Sequence, residues 1–591
     1  MPTYIAPVSD YLNILENILK VNSYTEVSSL NWIDRDVLTD FLSAAGRICE
    51  EVAQPLNQVG DIHGCQFDSG KVRTPPGFQE AYKSFANSGW VGLAFPQEHG
   101  GQGLPSVLAE SFNEMLCAAN MALSGFIELT EAVMTAIAEH ADDALKARWL
   151  PGLIDGRYTG AMHLTEAHAG SDLGLVRTRA EPVEDGTYLI SGQKIFITNA
   201  EHDLADNIVN LVLARLPDAP AGTRGLSLFL VPKFLPNADG SNGKRNKVEC
   251  INLEHKMGLK AAPTGTYAFD SAKGWLVGKE GGGIDAMFSM VNDARLGVAL
   301  QGLAIAEVSM QNATVYALDR LQGRAIGLSQ ASPPEPILNH PDVRRMILTM
   351  QAFTRPARAL GLWVALQIDI SRHHPDQGQA RLADQLAALM TPVIKSVFSD
   401  RGFYCADQCI QVHGGHGFVR DTGVEQFIRD VRVTRIYEGT NAIQALDLVR
   451  RKIHLKPAVD HLFTLIHSRI AISQTSNDPE VAEWALALAE SLAALRELIS
   501  IFTGQDFNND VASGANDFQD LFGLVVLGWM SLERLAAPLP THDGLSEKDI
   551  ARVFFRRMLP EASVFARRAR LGCDDLLAMS SAAIAANAVR G

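Results

Sequence analysis

Arg435-Ile436-Tyr437-Glu438-Gly439-Thr440-Asn441-Ala442-Ile443-Gln444 is the stretch around which the chain is organised. Asn441 followed three residues later by Gln444 has the spacing of a capping box, so the sequence predicts a helix starting at Asn441. Glu438 then falls on the break before that helix, where Gly439 permits a tight backbone path. A carboxylate placed there works as a base if the pocket around it is dry enough to tune its pKa. Taken alone, the ten residues read first as a solvated glutamate in an ordinary helix–helix turn. The rest of the chain changes that reading.

At 591 residues the chain exceeds one hydrophobic core, and length suggests three or four domains. The composition, 47% hydrophobic and 20% charged, is that of a globular protein. A formal net charge of -15 argues against a general nucleic-acid binder, which needs a basic face to neutralise phosphate. Seven scattered cysteines without a C-x-x-C fit reduced thiols and a cytoplasmic setting better than a disulfide framework. Residues 1–20 carry Asp10 and Glu16 and lack a cationic start before an apolar run, so no signal peptide is expected. The run from Leu521 to Met530 is too short to span a bilayer, and no membrane segment is expected.

Apolar residues recur at helical spacing from Tyr11 to Leu19, from Val37 to Val52 and around 108–138. From about Ala161 the period changes. Residues 188–190 and 194–198 read as two strands around a Ser191-Gly192 turn, and 207–216, 225–234 and 265–269 are further β-rich runs. After Gly281-Gly282-Gly283 the helical period returns as far as Lys452, and a further helical segment follows Pro457. The expected architecture is mainly α with an inserted β domain. Its parts are an N-terminal extension (1–35), a helical domain (36–158), a β domain (159–282), a helical bundle carrying Glu438 (283–455) and an extra helical domain (456–591).

Several motifs read two ways. Leu164-Thr165-Glu166-Ala167-His168-Ala169-Gly170-Ser171-Asp172 opens the β region with hydroxyls, acids and permissive backbone, as a loop gripping a polar ring system needs; an ordinary capped connection is the plainer reading. Gln411-Val412-His413-Gly414-Gly415-His416-Gly417-Phe418 sets three glycines in four positions after a helical run, which lets backbone N–H groups approach a pyrophosphate or flavin edge. His413 and His416 lack a third ligand at useful spacing, so no metal site is expected. Arg320 and Arg324 suit phosphate or a solvated helix end. The arginines from 552 to 570 make the last segment locally basic, and a solvated or ion-paired face is the usual outcome.

Taken together and in this order, the motifs resemble the acyl-CoA dehydrogenase family over roughly residues 35–455. Gly92-Leu93-Ala94-Phe95-Pro96-Gln97-Glu98-His99-Gly100-Gly101, the 164–172 loop, Gly192-Gln193-Lys194-Ile195-Phe196-Ile197-Thr198-Asn199, the glycine-rich 411–418 run and Tyr437-Glu438-Gly439-Thr440 carry the resemblance. The added C-terminal segment matches a long bacterial branch. The resemblance implies FAD, with Leu164, Thr165, Gly170, Ser171, Phe196 and Thr198 at the flavin and Thr440 near it. It implies that Arg320, Gln411, Gly414 and Gly415 reach the FAD of a neighbouring subunit, hence a homodimer or a dimer of dimers. Glu438 becomes the base; Ser171, Arg295, Tyr437 and Gly439 become substrate contacts, with Arg295 toward the CoA side. Some members carry the base one residue before the position of Arg295; that residue is Ala294, with Asp293 one place further off, so Glu438 stands without a rival. A nitroalkane-oxidase-like enzyme would be expected to carry Asp at 438.

The implied reaction is α,β-dehydrogenation of an acyl-CoA thioester, with electrons passing to an electron-transfer flavoprotein. The narrower expectation is a short substrate with a β-thioether, 3-(methylthio)propanoyl-CoA. The alternatives are a DNA-associated flavoprotein of the adaptive-response type, in which the C-terminal arginines would serve, and an acyl-CoA oxidase.

Overall fold

A computed structural model of the chain describes residues 2–588 except 238, 328, 330–331 and 538–544; the side chains of 288–293 and 587 are also outside the described set. An opening arm carries α1 (Val8–Asn13), and α2 (Arg35–Ile48), α3 (Pro55–His63), α4 (Phe78–Asn87), α5 (Ser106–His140) and α6 (Asp143–Ile154) follow. Helix α5 is long and apolar enough to cross a membrane, but most of its apolar window is buried inside the protein. It bends at Asn120, whose backbone leaves the helical region. The Asn120 amide donates to the Ala53 carbonyl at 3.1 Å and its oxygen accepts from the Leu123 N–H at 3.1 Å, so it caps the second half of the helix.

The β domain begins with β3 (Tyr158–His163), after a small hairpin of β1 (Gln66–Asp68) and β2 (Lys71–Arg73) in the preceding part. It continues through β4 (Arg179–Pro182), β5 (Tyr188–Thr198), β6 (Asn207–Arg215) and β7 (Leu226–Pro232). A second hairpin, β8 (Phe234–Pro236) with β9 (Asn242–Arg245), precedes β10 (Val248–Leu253) and β11 (Thr264–Val277). The main sheet has seven strands in the order β10-β11-β5-β4-β6-β3, and β7 joins β11 to β6, so the strands β11-β5-β4-β6-β7 close into a ring. Closure removes the exposed edges of those strands. The expected turn at Ser191-Gly192 is absent: β5 is one strand of 11 residues. Gly192 sits inside it at φ +153°, where a Cβ would lie 2.5 Å from the Thr178 hydroxyl. The glycine therefore serves close strand packing rather than a reversal.

Three long helices, α7 (Gly283–Asp319), α8 (Pro341–His373) and α9 (Gln377–His413), pack with α5 as the bundle. Short helices α10 (Gly415–Phe418) and α11 (Glu425–Val431) lead to the turn containing Glu438, and α12 (Asn441–Arg450) follows it. The extra C-terminal part comprises α13 (Lys456–Gln474), α14 (Pro479–Thr503), α15 (Asn509–Ala536), α16 (Glu547–Val553) and α17 (Glu561–Arg568), with shorter pieces beyond. Helix α15 packs on α8, α9 and α12, and its 521–530 run is core rather than surface.

Charges tie these pieces together. Arg358 of α8, only 1% exposed, bonds Glu114 of α5 and Glu307 of α7, each at 2.9 Å, and Asp10 of the opening arm at 2.7 Å. Asp10 also receives Arg534 of α15 at 2.5 Å, and Arg534 bonds Glu547 of α16 at 2.8 Å. The arm is thus clasped between the bundle and the C-terminal part. On the basic C-terminal surface, Arg552 and Arg556 pair with Glu480, Arg568 with Asp517 and Arg570 with Glu497.

Candidate active site

Glu438 stands in a turn between a short 3-10 segment (Arg432–Arg435) and α12. Its φ of +55° is left-handed, a region few residues other than glycine adopt, and Gly439 follows at +85°. The cap of α12 is one residue earlier than the sequence spacing predicts: the Thr440 hydroxyl accepts the Ile443 N–H at 3.3 Å. Gln444 does not complete a capping box. Its amide instead donates back to the carbonyls of Glu438 (3.0 Å) and Gly439 (3.3 Å), pinning the strained turn. From α9, the Lys395 ammonium donates to the Gly439 carbonyl at 2.8 Å and to the Asn441 Oδ1 at 3.1 Å.

Burial raises the Glu438 carboxyl above its ordinary pKa, with Arg295 and Lys395 pulling the other way. Such a group is a stronger base than a free carboxylate, because desolvation penalises its charged form. Arg295, buried on α7, bonds Asp447 of α12 at 3.1 Å, and among the described residues its Nε has no partner. Tyr437 donates its hydroxyl to Gln301 of α7, whose amide donates to the Glu128 carboxylate of α5 at 2.5 Å. Burial raises the Glu128 carboxyl, and the space beside Gly297 lies next to that carboxylate. Helices α5, α7 and α12 thus converge on the turn. Ala294 offers no competing base, and the Asp293 side chain lies outside the described residues.

The β domain presents a second surface. Phe196 is 62% exposed at φ +58°, with Thr165, Ser171 and Thr198 accessible beside the same strand and loop. The Ile195 N–H bonds the Thr165 carbonyl at 2.9 Å, and the Thr198 hydroxyl meets Thr264 at 3.0 Å. Beneath them, fully buried Lys194 donates to the Leu164 carbonyl (3.1 Å) and to Glu166 (2.9 Å). Glu166 also accepts the Arg177 and Thr178 N–H groups at 2.8 and 3.0 Å, so the pair shapes the 164–172 loop. Nothing stands within 4 Å of a Cβ built on Gly170. An exposed aromatic ring, hydroxyls and open glycine backbone fit a flavin ring. Buried Asn199, whose amide atoms have no partner among the described residues, adds unmet hydrogen-bonding capacity beside Thr198.

Arg320, Gln411, Gly414 and Gly415 are not in this cluster. They lie exposed at the ends of α7 and α9, joined where Tyr316 stacks on His413 (centroids 4.2 Å) and its hydroxyl meets His416 Nδ1 at 2.9 Å. Gly414 and Gly415 face open space, and Val315, Leu318, Leu321 and Phe418 (87% exposed) are further exposed apolar residues near these chain segments. His413 is used internally, its Nδ1 meeting the Cys409 carbonyl at 2.8 Å. Among the described residues no group of three or more His, Cys, Asp or Glu could hold a metal.

The sequence reading overlooked Lys395, Gln301 and Glu128. A lone lysine inside the apolar run Val393-Ile394-Lys395-Ser396-Val397-Phe398 is the mark it left unread, because a buried ammonium always needs partners.

Comparison with known proteins accords with this geometry. Residues 41–157, 161–272 and 281–453 match the N-terminal, middle and C-terminal domains of acyl-CoA dehydrogenases, and 463–580 match an acetyl-CoA dehydrogenase C-terminal-like domain. The chain therefore belongs to the acyl-CoA dehydrogenase family, FAD-dependent oxidoreductases acting on CH–CH bonds. It is 40% identical over 578 residues, 97% of each chain, to 3-methylmercaptopropionyl-CoA dehydrogenase of Ruegeria pomeroyi. It is 33% identical to the broad-specificity linear acyl-CoA dehydrogenase FadE5 of Mycobacterium tuberculosis, over 96% of this chain and 95% of that one. The structure of an acyl-CoA dehydrogenase complexed with FAD from Bacillus anthracis shares the fold, with a TM-score of 0.72, 21% identity, and coverage of 92% and 89%.

Proposed function

We propose that the protein oxidises a short acyl-CoA, 3-(methylthio)propanoyl-CoA in the narrow reading, to the trans-2-enoyl-CoA, with Glu438 as base. The observation that carries the proposal is the half-buried, left-handed Glu438, whose carboxyl is raised by desolvation while Arg295 and Lys395 act on it from α7 and α9. FAD, when bound, accepts the hydride from Cβ. Glu438 takes the proton from Cα, and the two hydrogens leave as H+ and H−, so the new double bond balances both. Among the described residues the Glu438 N–H makes no hydrogen bond, which leaves it free to polarise the thioester carbonyl. Ser171 and Arg295 serve the CoA side; Tyr437 and Gly439 border the acyl group.

Leu164, Thr165, Gly170, Ser171, Phe196 and Thr198 would hold the flavin ring, and Thr440 would serve it from the turn before α12. Arg320, Gln411, Gly414 and Gly415 serve the neighbouring subunit's FAD; the exposed apolar patch around them supports at least a homodimer. Electrons leave to an electron-transfer flavoprotein. Seven free cysteines accord with the reducing cytoplasm. The 40% identity to the Ruegeria pomeroyi enzyme supports the thioether substrate. Against the DNA-associated alternative stand the ion pairs of four of the C-terminal arginines, Arg552, Arg556, Arg568 and Arg570, and the net charge of -15.

The test is anaerobic bleaching of the holoenzyme by a panel of acyl-CoA esters from short to long, including 3-(methylthio)propanoyl-CoA. Rapid bleaching by the thioether ester supports the narrow reading. Faster bleaching by a long-chain ester refutes it, and no bleaching by any ester refutes the dehydrogenase reading.

A further inference from the structure

The catalytic turn depends on a cation that lies outside it. We propose that Lys395 is a positioning residue for the base: from α9 it anchors the Gly439 carbonyl and, beside Arg295, adds a positive charge that favours the carboxylate form of Glu438 in its strained turn. The proposal rests on Glu438 being the base.

Lys395 is fully buried on α9, in a stretch where Val393, Ile394, Val397 and Phe398 are buried as well. Placing an ammonium there costs several kcal/mol unless charge and hydrogen bonds compensate. Yet its two hydrogen bonds go to neutral oxygens, the Gly439 carbonyl at 2.8 Å and Asn441 Oδ1 at 3.1 Å. Among the described residues no carboxylate contacts it. The largest favourable charge acting on it is Glu438, and burial still pulls its pKa down to about 8.

The other charges facing Glu438 are differently placed. Arg295 from α7 is paired with Asp447 of α12, a carboxylate it shares with Arg451 at 2.5 Å, and of the two cations it exerts the larger pull on Glu438. Asp400, one turn beyond Lys395 on α9, pairs with Arg435. Tyr437 and Gln444, the remaining polar neighbours, are neutral and engaged with Gln301 and the turn carbonyls. Lys395 is the second cation acting on the base, and the one that among the described residues no carboxylate contacts. Asn441 completes the device: it accepts from Lys395 and donates to Ser399 Oγ and Asp400 Oδ2, each at 3.0 Å, which fixes the ammonium's direction.

The two roles separate by substitution. Lys395→Gln keeps a donor for the Gly439 carbonyl and removes the charge; Lys395→Met removes both. The measurement is the anaerobic rate of flavin reduction by a saturating acyl-CoA from pH 6 to 9.5, on holoenzyme with normal FAD content. Glu438 must be ionised to act, so loss of a nearby positive charge moves the acid limb upward. For Lys395→Gln the limb rises by about one pH unit, the scale of a neighbouring-charge effect, giving up to about a tenfold loss on the acid limb and little loss on the high-pH plateau. For Lys395→Met the limb rises as far and the high-pH plateau falls as well. A merely structural lysine would lower the plateau and leave the limb in place; that outcome in the two variants overturns the proposal. Glu438→Gln is run beside them. If it reduces flavin normally, the base assignment fails; if it is inactive while the Lys395→Gln limb stays unshifted, only the role of Lys395 fails.

Discussion

Arg358→Met keeps an unbranched apolar stem at the centre of the molecule and deletes one guanidinium. In the wild type that guanidinium is 1% exposed and satisfies carboxylates from three parts of the chain: Glu114, Glu307 and Asp10. Asp10 keeps Arg534 at 2.5 Å, so its loss is partial. Glu114 has no such reserve: one of its oxygens already lacks a partner among the described residues, and burial already holds its carboxyl above the ordinary range against the pull of Arg358. Removing one partner of a buried ion pair costs about 3–5 kcal/mol, and we expect about 4 kcal/mol at pH 8.5. The pH dependence is the sharper mark. With the guanidinium gone, burial raises the folded-state pKa of Glu114 further above its unfolded value of about 4.3. The native state then binds more protons than the unfolded state between those two values, so stability is present at low pH and lost as pH rises, by up to about 1.4 kcal/mol per unit. Guanidinium unfolding of the holoenzyme at pH 5.5, 7 and 8.5, followed by tryptophan fluorescence, measures both. Arg358→Met/Glu114→Gln should recover part of the loss at pH 8.5. A loss under about 1 kcal/mol at pH 8.5, or the same loss at all three pH values, would refute the reasoning.

Glu438→Gln preserves shape and removes the proposed base; FAD content and CoA-ester binding should persist while flavin reduction falls by about a thousandfold or more, read by stopped-flow absorbance. Lys194→Met strips the Leu164 carbonyl and Glu166 of their buried donor, so the flavin-facing loop should loosen and FAD affinity fall about tenfold, measured by FAD retention on desalting. Phe418→Glu puts a charge in the exposed apolar patch; light scattering should show monomers, and an unchanged mass would remove that patch from the subunit interface.

The alternation of helical, β and helical segments is legible in the sequence because it rests on period alone. The break that holds Glu438 just before α12 is legible as well, from the helical patterns on either side and from Gly439. Finer features depended on contacts that periodicity does not carry. Gly192 looks like a turn residue, but its place is set by Thr178 across the sheet, so one strand replaces two. Asn441 and Gln444 have the spacing of a capping box, but Asn441 is drawn toward Lys395 and Ser399 on α9 while Gln444 turns back onto the Glu438 carbonyl. The cap passes to Thr440. The clasp on Asp10 joins residues more than five hundred positions apart, and nothing local marks Arg534 as its partner.

The left-handed backbone at Glu438 sets the protein against itself in any laboratory selection. A non-glycine residue held in that region costs on the order of 1–3 kcal/mol, and glycine at the same position would release most of it. A library screened only for heat resistance should therefore enrich Glu438→Gly, a sturdier protein without the proposed base. A library screened for turnover should keep the strained glutamate, and later gains in durability would have to arise elsewhere, in the bundle or on the surface.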